Sequence, residues 1–192
     1  MLFSVFERDG KGNTKSENPK LISKLSVEKQ IILSNEQCIQ KIRRIAFEIY
    51  ENNVSENKLV FAGIFDKGYI LSQLIAAEYE KIAKNKPSIV KITLDKFSPT
   101  QSEIALDHPL DLLQNKSIVI VDDVLNSGRT LAYSIKPFLT IPVKKIEVAV
   151  LVDRGHKSFP IAADYVGYSL STTLKEHIDV VFEQNDINVF LK

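Results

Sequence analysis

Apolar runs and amphipathic stretches alternate along most of the chain. Leu59–Ala62, Ile118–Val121 and Val148–Val152 are continuous apolar runs, which are typical of strands buried on both faces of a parallel sheet. Ser88–Leu94 is predicted to be a further strand. The stretches between them repeat apolar residues at three- and four-residue steps, as helices that cover a sheet do. This alternation predicts an α/β fold, an open and mostly parallel twisted sheet with helices on both faces.

The clearest helix is predicted directly after Ser34. Ser34 and Gln37 have the spacing of a capping box, in which each side chain bonds the backbone N–H of the other residue. The apolar positions that follow form one stripe, which consists of Cys38, Ile42, Ile45, Ala46, Ile49 and Tyr50. A second helix is predicted along the stripe of Leu71, Leu74, Ile75 and Ile82, and a third from about Thr130. Cys38 is therefore expected in the core.

The pattern is less regular at both ends of the chain. Residues 1–30 mix glycines, asparagines and a proline with charged residues and are interpreted as an N-terminal arm, so that one domain spans residues 31–192. After Val152 only short apolar pieces remain, at Tyr165–Leu170, Ile178–Phe182 and Ile187–Leu191. These pieces are expected to form a small lobe or an antiparallel edge of the sheet.

Composition narrows the class of protein. The chain has 192 residues, of which 44% are hydrophobic and 26% charged, and this is typical of one globular domain. Its net charge of +1 gives no global field for nucleic acid or an anionic membrane. We expect no signal peptide and no transmembrane span, since the apolar runs are short. Cys38 is the only cysteine, which excludes an internal disulfide and favours a reducing compartment, with the cytoplasm as the expected location.

One predicted strand end carries a candidate ligand site. Asp122 and Asp123 follow the apolar run Ile118–Val121 and precede a polar turn. Ligands of open parallel sheets bind beyond the carboxyl ends of the strands. The backbone N–H groups of the turn can point at an anion where a helix begins, which predicts a phosphate cup formed by Asn126, Ser127, Gly128, Arg129 and Thr130.

Two carboxylates beside a phosphate cup suit a sugar phosphate. Carboxylates repel a phosphate, but they accept hydrogen bonds from sugar hydroxyls. A ribose 5-phosphate would place its phosphate in the cup and its 2- and 3-hydroxyls against Asp122 and Asp123. The residues alone also allow a purely structural interpretation, in which the two aspartates end a strand and Ser127 caps a helix. A nucleotide hydrolase is not indicated, because the sequence has no Gly-Lys-Ser/Thr phosphate loop.

The segment Ile118–Thr130 resembles the phosphoribosyl-diphosphate signature of type I phosphoribosyltransferases. Four other segments are similar to the family of the bifunctional pyrimidine-operon attenuation protein and uracil phosphoribosyltransferase: Ala149–Lys157, Pro160–Ile161, Ala163–Gly167 and Gln184–Asp186. This resemblance covers roughly residues 30 to 190. It implies the type I phosphoribosyltransferase fold with a small C-terminal hood, and a homodimer or a higher homo-oligomer.

The resemblance implies a glycosyltransferase of nucleotide salvage. Such an enzyme transfers ribose 5-phosphate from phosphoribosyl diphosphate (PRPP) to a nucleobase and releases pyrophosphate, with Mg²⁺ held mainly by the donor. Asp122 and Asp123 would hold the ribose hydroxyls, and the phosphate cup would hold the 5-phosphate. The nucleobase is not fixed by these residues, although uracil is slightly favoured. No metal ligand is predicted among the three histidines, which lack the spacing of a zinc site.

Two loops that bind pyrophosphate in the family are altered here. The first follows the first core strand and contains Asp66, Lys67 and Gly68, with lysine where the attenuation-protein family usually has arginine. The second is a flexible lid, whose place is taken by the shorter stretch Asp95–Asp107. Within it, Lys96 stands where the family has an arginine. Lys67 and Lys96 are therefore expected to contact the leaving group.

Base recognition is expected in the C-terminal hood. By the resemblance, Asp153, Arg154 and the strand region Ile178–Val181, including Val180, would lie near the nucleobase. A hood can bind a base through backbone groups, which leave no mark on the sequence. The identity of the base therefore stays open at this point.

Two other functions remain open from the sequence. One is a non-catalytic sensor of a nucleotide or of PRPP, which the altered loops would allow. The other is an RNA-binding attenuator of a pyrimidine operon, which needs a basic face. Phe47 and Ala162 stand where the family has a histidine and an arginine that help to form that face. RNA binding is therefore not expected.

Overall fold

A computed structural model of the chain describes residues 30–95, 103–173, 176–184 and 186–192. Residues 1–29 of the predicted arm lie outside the described residues, as do Lys96 and the tip of the predicted lid. The described strands are β1 Gln30–Leu33, β2 Leu59–Ile64, β3 Ser88–Thr93, β4 Ala105–Leu106, β5 Ser117–Leu125, β6 Lys145–Asp153, β7 Tyr165–Ser169, β8 Ile178–Glu183 and β9 Asp186–Leu191. They form a six-stranded sheet and a three-stranded sheet.

The larger sheet has the strand order β4-β3-β2-β5-β6-β7. All of its neighbouring strands are parallel except β3 and β4, which pair antiparallel. The continuous apolar runs are thus parallel strands, as predicted, with β5 at the centre between β2 and β6. Alternate side chains of each strand point to opposite faces, so Phe61 packs in one core while Val60 and Ala62 pack in the other.

Helices cover both faces of this sheet. They are α1 Asn35–Asn52, α2 Lys67–Glu80 and the short α3 Arg129–Ser134, and two 3₁₀ helices lie at Leu110–Leu113 and Lys136–Thr140. Helices α1 and α2 pack on the face of Phe61, and residues of α3 and the second 3₁₀ helix pack on the other face. The α/β prediction with helices on both faces is therefore confirmed. None of the helices in the described ranges is long and apolar enough to cross a membrane.

The capping box and the stripe of α1 are confirmed. The N–H of Ser34 donates to Oε1 of Gln37 at 2.9 Å, and the N–H of Gln37 donates to Oγ of Ser34 at 3.5 Å. Five of the six stripe positions are buried, Cys38 among them. In α2 the predicted stripe was too long, because the helix ends at Glu80 and Ile82 lies in the turn beyond it.

The C-terminal pieces separate into two sheets. Strand β7 joins the large sheet parallel to β6, whereas β8 and β9 form an antiparallel hairpin. The third strand of the small sheet is β1, which pairs with β9 through Gln30 and Leu191. We call this sheet of β1, β9 and β8 the hood. Its inner face, with Val180 and Val189, packs in the same core as α1, so the hood sits over one face of the domain.

Candidate functional site

The turn predicted to be a phosphate cup lines a cavity at the carboxyl end of β5. Its volume is about 280 Å³, and it is lined by Asp122 and residues 124–131, which include all five predicted cup residues. Gly128 precedes α3 with a φ of 80°, a conformation that favours glycine because other L-residues place their Cβ too close to the backbone there. The positive φ at Gly128 therefore turns the chain from the strand into the helix.

The cup turn is braced from outside the cavity. The carbonyl oxygen of Ser127 accepts hydrogen bonds from the N–H groups of Ser158 at 2.9 Å and Phe159 at 3.0 Å. The Ser127 hydroxyl accepts from the N–H of Arg129 at 3.3 Å. These bonds order the turn without a ligand, and such preorganisation lowers the entropic cost of binding an anion.

Arg154 is a buried arginine that joins the cup to the segment leading into the hood. It is 4% exposed and does not line the cup cavity. Its guanidinium donates to Oδ1 of Asn126 at 3.0 Å and to Oγ1 of Thr172 at 3.0 Å. It also donates to the carbonyl oxygens of Thr173 at 3.2 Å and Glu176 at 2.6 Å. The structure thus gives Arg154 a bracing position rather than one open to a base.

The two aspartates lie near the carboxyl end of β5, where Asp122 lines the cavity. Asp122 is 3% exposed and Asp123 is 9% exposed, and the N–H of Asp123 donates to Oδ1 of Asp122 at 3.1 Å. Both sit on β5, the central strand. An ionised carboxylate at such depth interacts strongly with any cation or hydroxyl that reaches it, because little water screens the charge.

The N-terminus of α2 lies directly against Asp122 of this pair. A Cβ on Gly68 would lie 2.6 Å from the carbonyl oxygen of Val121 and 3.0 Å from Oδ1 of Asp122. Helix and strand approach so closely only because Gly68 has no side chain. The tertiary structure thus brings the predicted pyrophosphate loop of Asp66, Lys67 and Gly68 next to Asp122. Asp66 itself is exposed.

The side chain of Lys67 reaches across to the hood. Its Nζ donates to Oδ1 of Asp179 at 2.8 Å, and Lys192 binds the other carboxylate oxygen of Asp179 at 2.5 Å. The hydrogen bonds from Lys192 and Lys67 hold the pKa of Asp179 below its usual value. Sequence reasoning included Asp179 in the strand region Ile178–Val181 without giving it a role of its own, and it missed Lys192. The one signal in the sequence was that a charged residue, Asp179, interrupts the apolar piece Ile178–Phe182.

The remaining predicted hood residues face other groups. Asp153 ends β6, where its Oδ1 accepts from the N–H of Gly155 at 2.8 Å and its Oδ2 pairs with Lys157 at 3.0 Å. Val180 is fully buried in the core, where it presents no surface to a ligand. Their predicted role in base recognition therefore gains no support from these positions.

The donor set fits magnesium that arrives on a phosphate ligand. Among the described residues, no group of three or more His, Cys, Asp or Glu side chains could hold a metal ion. Asp122 and Asp123 supply two carboxylates at the cup, and Mg²⁺ in phosphate-binding sites is commonly held by one or two carboxylates together with the substrate's phosphates. These two aspartates are the residues that would contact it.

Comparisons with known proteins place the chain in a family. The family model of the phosphoribosyl transferase domain matches residues 28–184. The bifunctional protein PyrR of Macrococcus caseolyticus is 36% identical over 166 residues, which are 83% of this chain and 95% of that protein. The protein of the same name from Bacillus subtilis is 33% identical over 171 residues, which are 84% of this chain and 94% of that protein.

Solved structures show the same fold. The hypoxanthine phosphoribosyltransferase of Trypanosoma cruzi superimposes with a TM-score of 0.69 at 17% identity, covering 83% of this chain and 95% of that one. A hypoxanthine-guanine phosphoribosyltransferase from Bacillus anthracis has a TM-score of 0.61 at 21% identity, covering 74% and 83%. The fold expected from the resemblance is therefore confirmed.

Proposed function

The chain belongs to the phosphoribosyltransferase family, and we propose that it transfers ribose 5-phosphate from PRPP to uracil in nucleotide salvage, with release of pyrophosphate. One observation carries the proposal: the cup, the buried pair Asp122 and Asp123, and the N-terminus of α2 meet at the carboxyl end of β5. The donor has a phosphate, two ribose hydroxyls and a diphosphate in the same order, so each part meets a group of suitable chemistry.

The acidic pair has two tasks in this proposal. Asp122 and Asp123 accept hydrogen bonds from the ribose hydroxyls and so orient the sugar above β5. When the bond from the anomeric carbon to pyrophosphate breaks, positive charge develops on the ribose. Carboxylates held in place before the reaction stabilise that charge without reorganising, which is the main source of such rate enhancement.

The leaving group is handled at the N-terminus of α2. Lys67 supplies a flexible positive charge near the position of the diphosphate. Lys96 is proposed as a second cation, and it lies outside the described residues. Mg²⁺ brought in with the donor would neutralise part of the charge of the diphosphate, which would make it a better leaving group.

The choice of uracil rests on the resemblance to the pyrimidine-operon attenuation protein family and on the curated relatives named PyrR. The structural neighbours are named for hypoxanthine and guanine, so 6-oxopurine bases are the alternative substrates to test. The test is pyrophosphate release from PRPP with Mg²⁺, screened against uracil, orotate, adenine, guanine, hypoxanthine and xanthine, with a control without base. Turnover with uracil alone supports the proposal. Turnover with a purine alone contradicts the base assignment but keeps the reaction.

A non-catalytic sensor of PRPP or a nucleotide is the second candidate. It is favoured by the ion pair of Lys67 with Asp179, which engages the cation assigned to the leaving group. A sensor binds the donor saturably and shows no pyrophosphate release with any of the six bases. Calorimetric titration of PRPP beside the turnover screen separates the two functions.

We do not propose RNA attenuation for this chain. Phe47 is 44% exposed on α1 and Ala162 is exposed before β7, where the resemblance would place a histidine and an arginine. Apolar side chains at these positions supply no charge to an RNA backbone. A tight and strongly salt-dependent complex with a leader RNA hairpin would contradict this.

A further inference from the structure

Asp179 holds two lysines that come from distant parts of the chain. Lys67 lies at the start of α2 and Lys192 follows β9, and their ammonium groups bind different oxygens of the same carboxylate at 2.8 Å and 2.5 Å. The side chains of Lys67, Asp179 and Lys192 are 37%, 23% and 38% exposed, so the cluster is half-buried. It joins the N-terminus of α2 to the hood.

The position of this cluster bears on the donor site. Lys67 is covalently next to Gly68, which lies against Asp122, whereas Asp179 belongs to β8 of the hood. The described lysine that we assign to the diphosphate is therefore bound to a carboxylate of the hood. A diphosphate that approaches Lys67 must compete with Asp179 for the same ammonium group.

We propose that Asp179 is a positioning residue and the exchange partner of Lys67. It holds the ammonium group while the donor is absent and gives it up to the donor's diphosphate, while Lys192 stays on the Asp179 carboxylate. This inference rests on the proposed function, and it adds that Asp179 of the hood competes with the diphosphate for the ammonium group of Lys67. No covalent step is involved, since only ion pairs are exchanged.

Three physical features make the exchange easy. Lysine is a point charge on a flexible four-carbon stem, so it can swing between two anions without moving the backbone. A diphosphate carries more negative charge than one carboxylate and attracts the ammonium more strongly. Asp179 does not lose its last cation when Lys67 leaves, because Lys192 binds its other oxygen. That second contact removes most of the cost of leaving a half-buried carboxylate unpaired.

Substitutions of Asp179 and of Lys192 should change the affinity for PRPP and pyrophosphate in opposite directions. Asp179→Asn removes the competitor, so Lys67 is available to the diphosphate, and KM for PRPP and Kd for inorganic pyrophosphate should both fall. Lys192→Met leaves Lys67 as the sole cation on Asp179, so the same constants should rise. Each change should be about two- to fivefold, the size expected for one partly exposed ion pair. A merely structural role predicts weaker binding in both variants.

The experiment compares these variants with wild type and with a matched control. Glu80→Gln removes the exposed pair of Lys86 and Glu80 at the far end of α2 and should leave both constants unchanged. Calorimetric titration of Mg²⁺-pyrophosphate gives Kd, and initial rates with PRPP separate KM from kcat.

Opposite shifts in Asp179→Asn and Lys192→Met support the exchange. Normal binding by wild type together with unchanged or weaker binding by Asp179→Asn overturns the exchange and leaves the proposed function intact. A wild-type protein that binds neither PRPP nor pyrophosphate overturns both.

Discussion

Gly68 and Asp122 approach each other more closely than any other residue type at position 68 would allow. A Cβ at Gly68 would lie 3.0 Å from Oδ1 of Asp122 and 2.6 Å from the carbonyl oxygen of Val121. Both of these contacts are on β5, the strand that carries the acidic pair. The missing side chain of Gly68 therefore sets the distance between the N-terminus of α2 and Asp122, which we propose as a ribose contact.

Gly68→Ala tests this relationship. The added methyl group must push α2 away from β5, which we expect to lower the free energy of unfolding by about 1–3 kcal/mol. It also displaces Lys67, so kcat/KM should fall about tenfold or more, because small misplacements of reacting groups are costly. Urea unfolding and pyrophosphate release measure the two effects. Gln73→Ala, at an exposed position of the same helix, should change neither, and wild-type behaviour of Gly68→Ala would refute the close approach.

Asp123→Asn tests the acidic pair. The amide keeps the size of the side chain but removes its charge, so the stabilisation of the ribose cation is lost. We expect kcat to fall on the order of a hundredfold, as for the removal of one electrostatic contact to a transition state, with an unchanged unfolding midpoint. Asp111→Asn, at an exposed position of the first 3₁₀ helix, is the control. Unchanged turnover would remove Asp123 from the mechanism.

Gly128→Val tests the phosphate cup. Valine at a φ of 80° is strained by about 1–2 kcal/mol, and its Cβ would lie 3.5 Å from the carbonyl oxygen of Phe159, so its methyl groups crowd the segment that braces the cup turn. Gly155 has a φ of 73° but lies outside the cup cavity, so Gly155→Val carries the same strain. Both variants should lose stability, and only Gly128→Val should lose calorimetric PRPP binding. Retained PRPP affinity in Gly128→Val would contradict the cup.

Arg154→Met tests the brace between the cup and the hood. The substitution leaves four acceptors without their donor, among them Oδ1 of Asn126. We expect a loss of about 2–4 kcal/mol in the free energy of unfolding. Arg43→Met removes an exposed ion pair with Glu78 and should cost less than about 1 kcal/mol. Equal losses in the two variants, measured by urea denaturation, would show that the buried bonds of Arg154 matter little.

Cys38 should be an inert thiol in the folded protein. Burial raises the pKa of Cys38 from 9.0 to about 11, because the thiolate would lose its hydration. Because the pKa is raised in the folded state, the contribution of Cys38 to the free energy of unfolding is fully present below pH 9. This contribution is lost as the pH rises toward 11. At pH 8 a disulfide reagent should therefore label the urea-unfolded chain rapidly and the native chain only slowly. Fast labelling of the native protein would contradict this burial.

Local patterns sufficed for most of the fold. The capping box of Ser34 and Gln37, the stripe of α1 and the apolar runs of β2, β5 and β6 were all predictable, because each depends on neighbours in sequence or on burial of a whole segment. The cup at residues 126–130 was predictable for the same reason, since strand, turn and helix start are consecutive. Even there the length of α3 was not evident.

Contacts between distant segments were decided by the tertiary structure. The hood joins Gln30 to Leu191, and no local pattern indicates which of several strand edges β1 will pair with. The same holds for Asp179, whose value to the site comes from Lys67 and Lys192, and for Arg154, which is buried against Asn126 and does not face a base. The sequence by itself therefore determined the main strands and helices and the place of the turn and the acidic pair at the end of β5. The partners of its charged side chains were decided only by packing, because a charge is satisfied by whichever opposite group or acceptor the folded chain brings within reach.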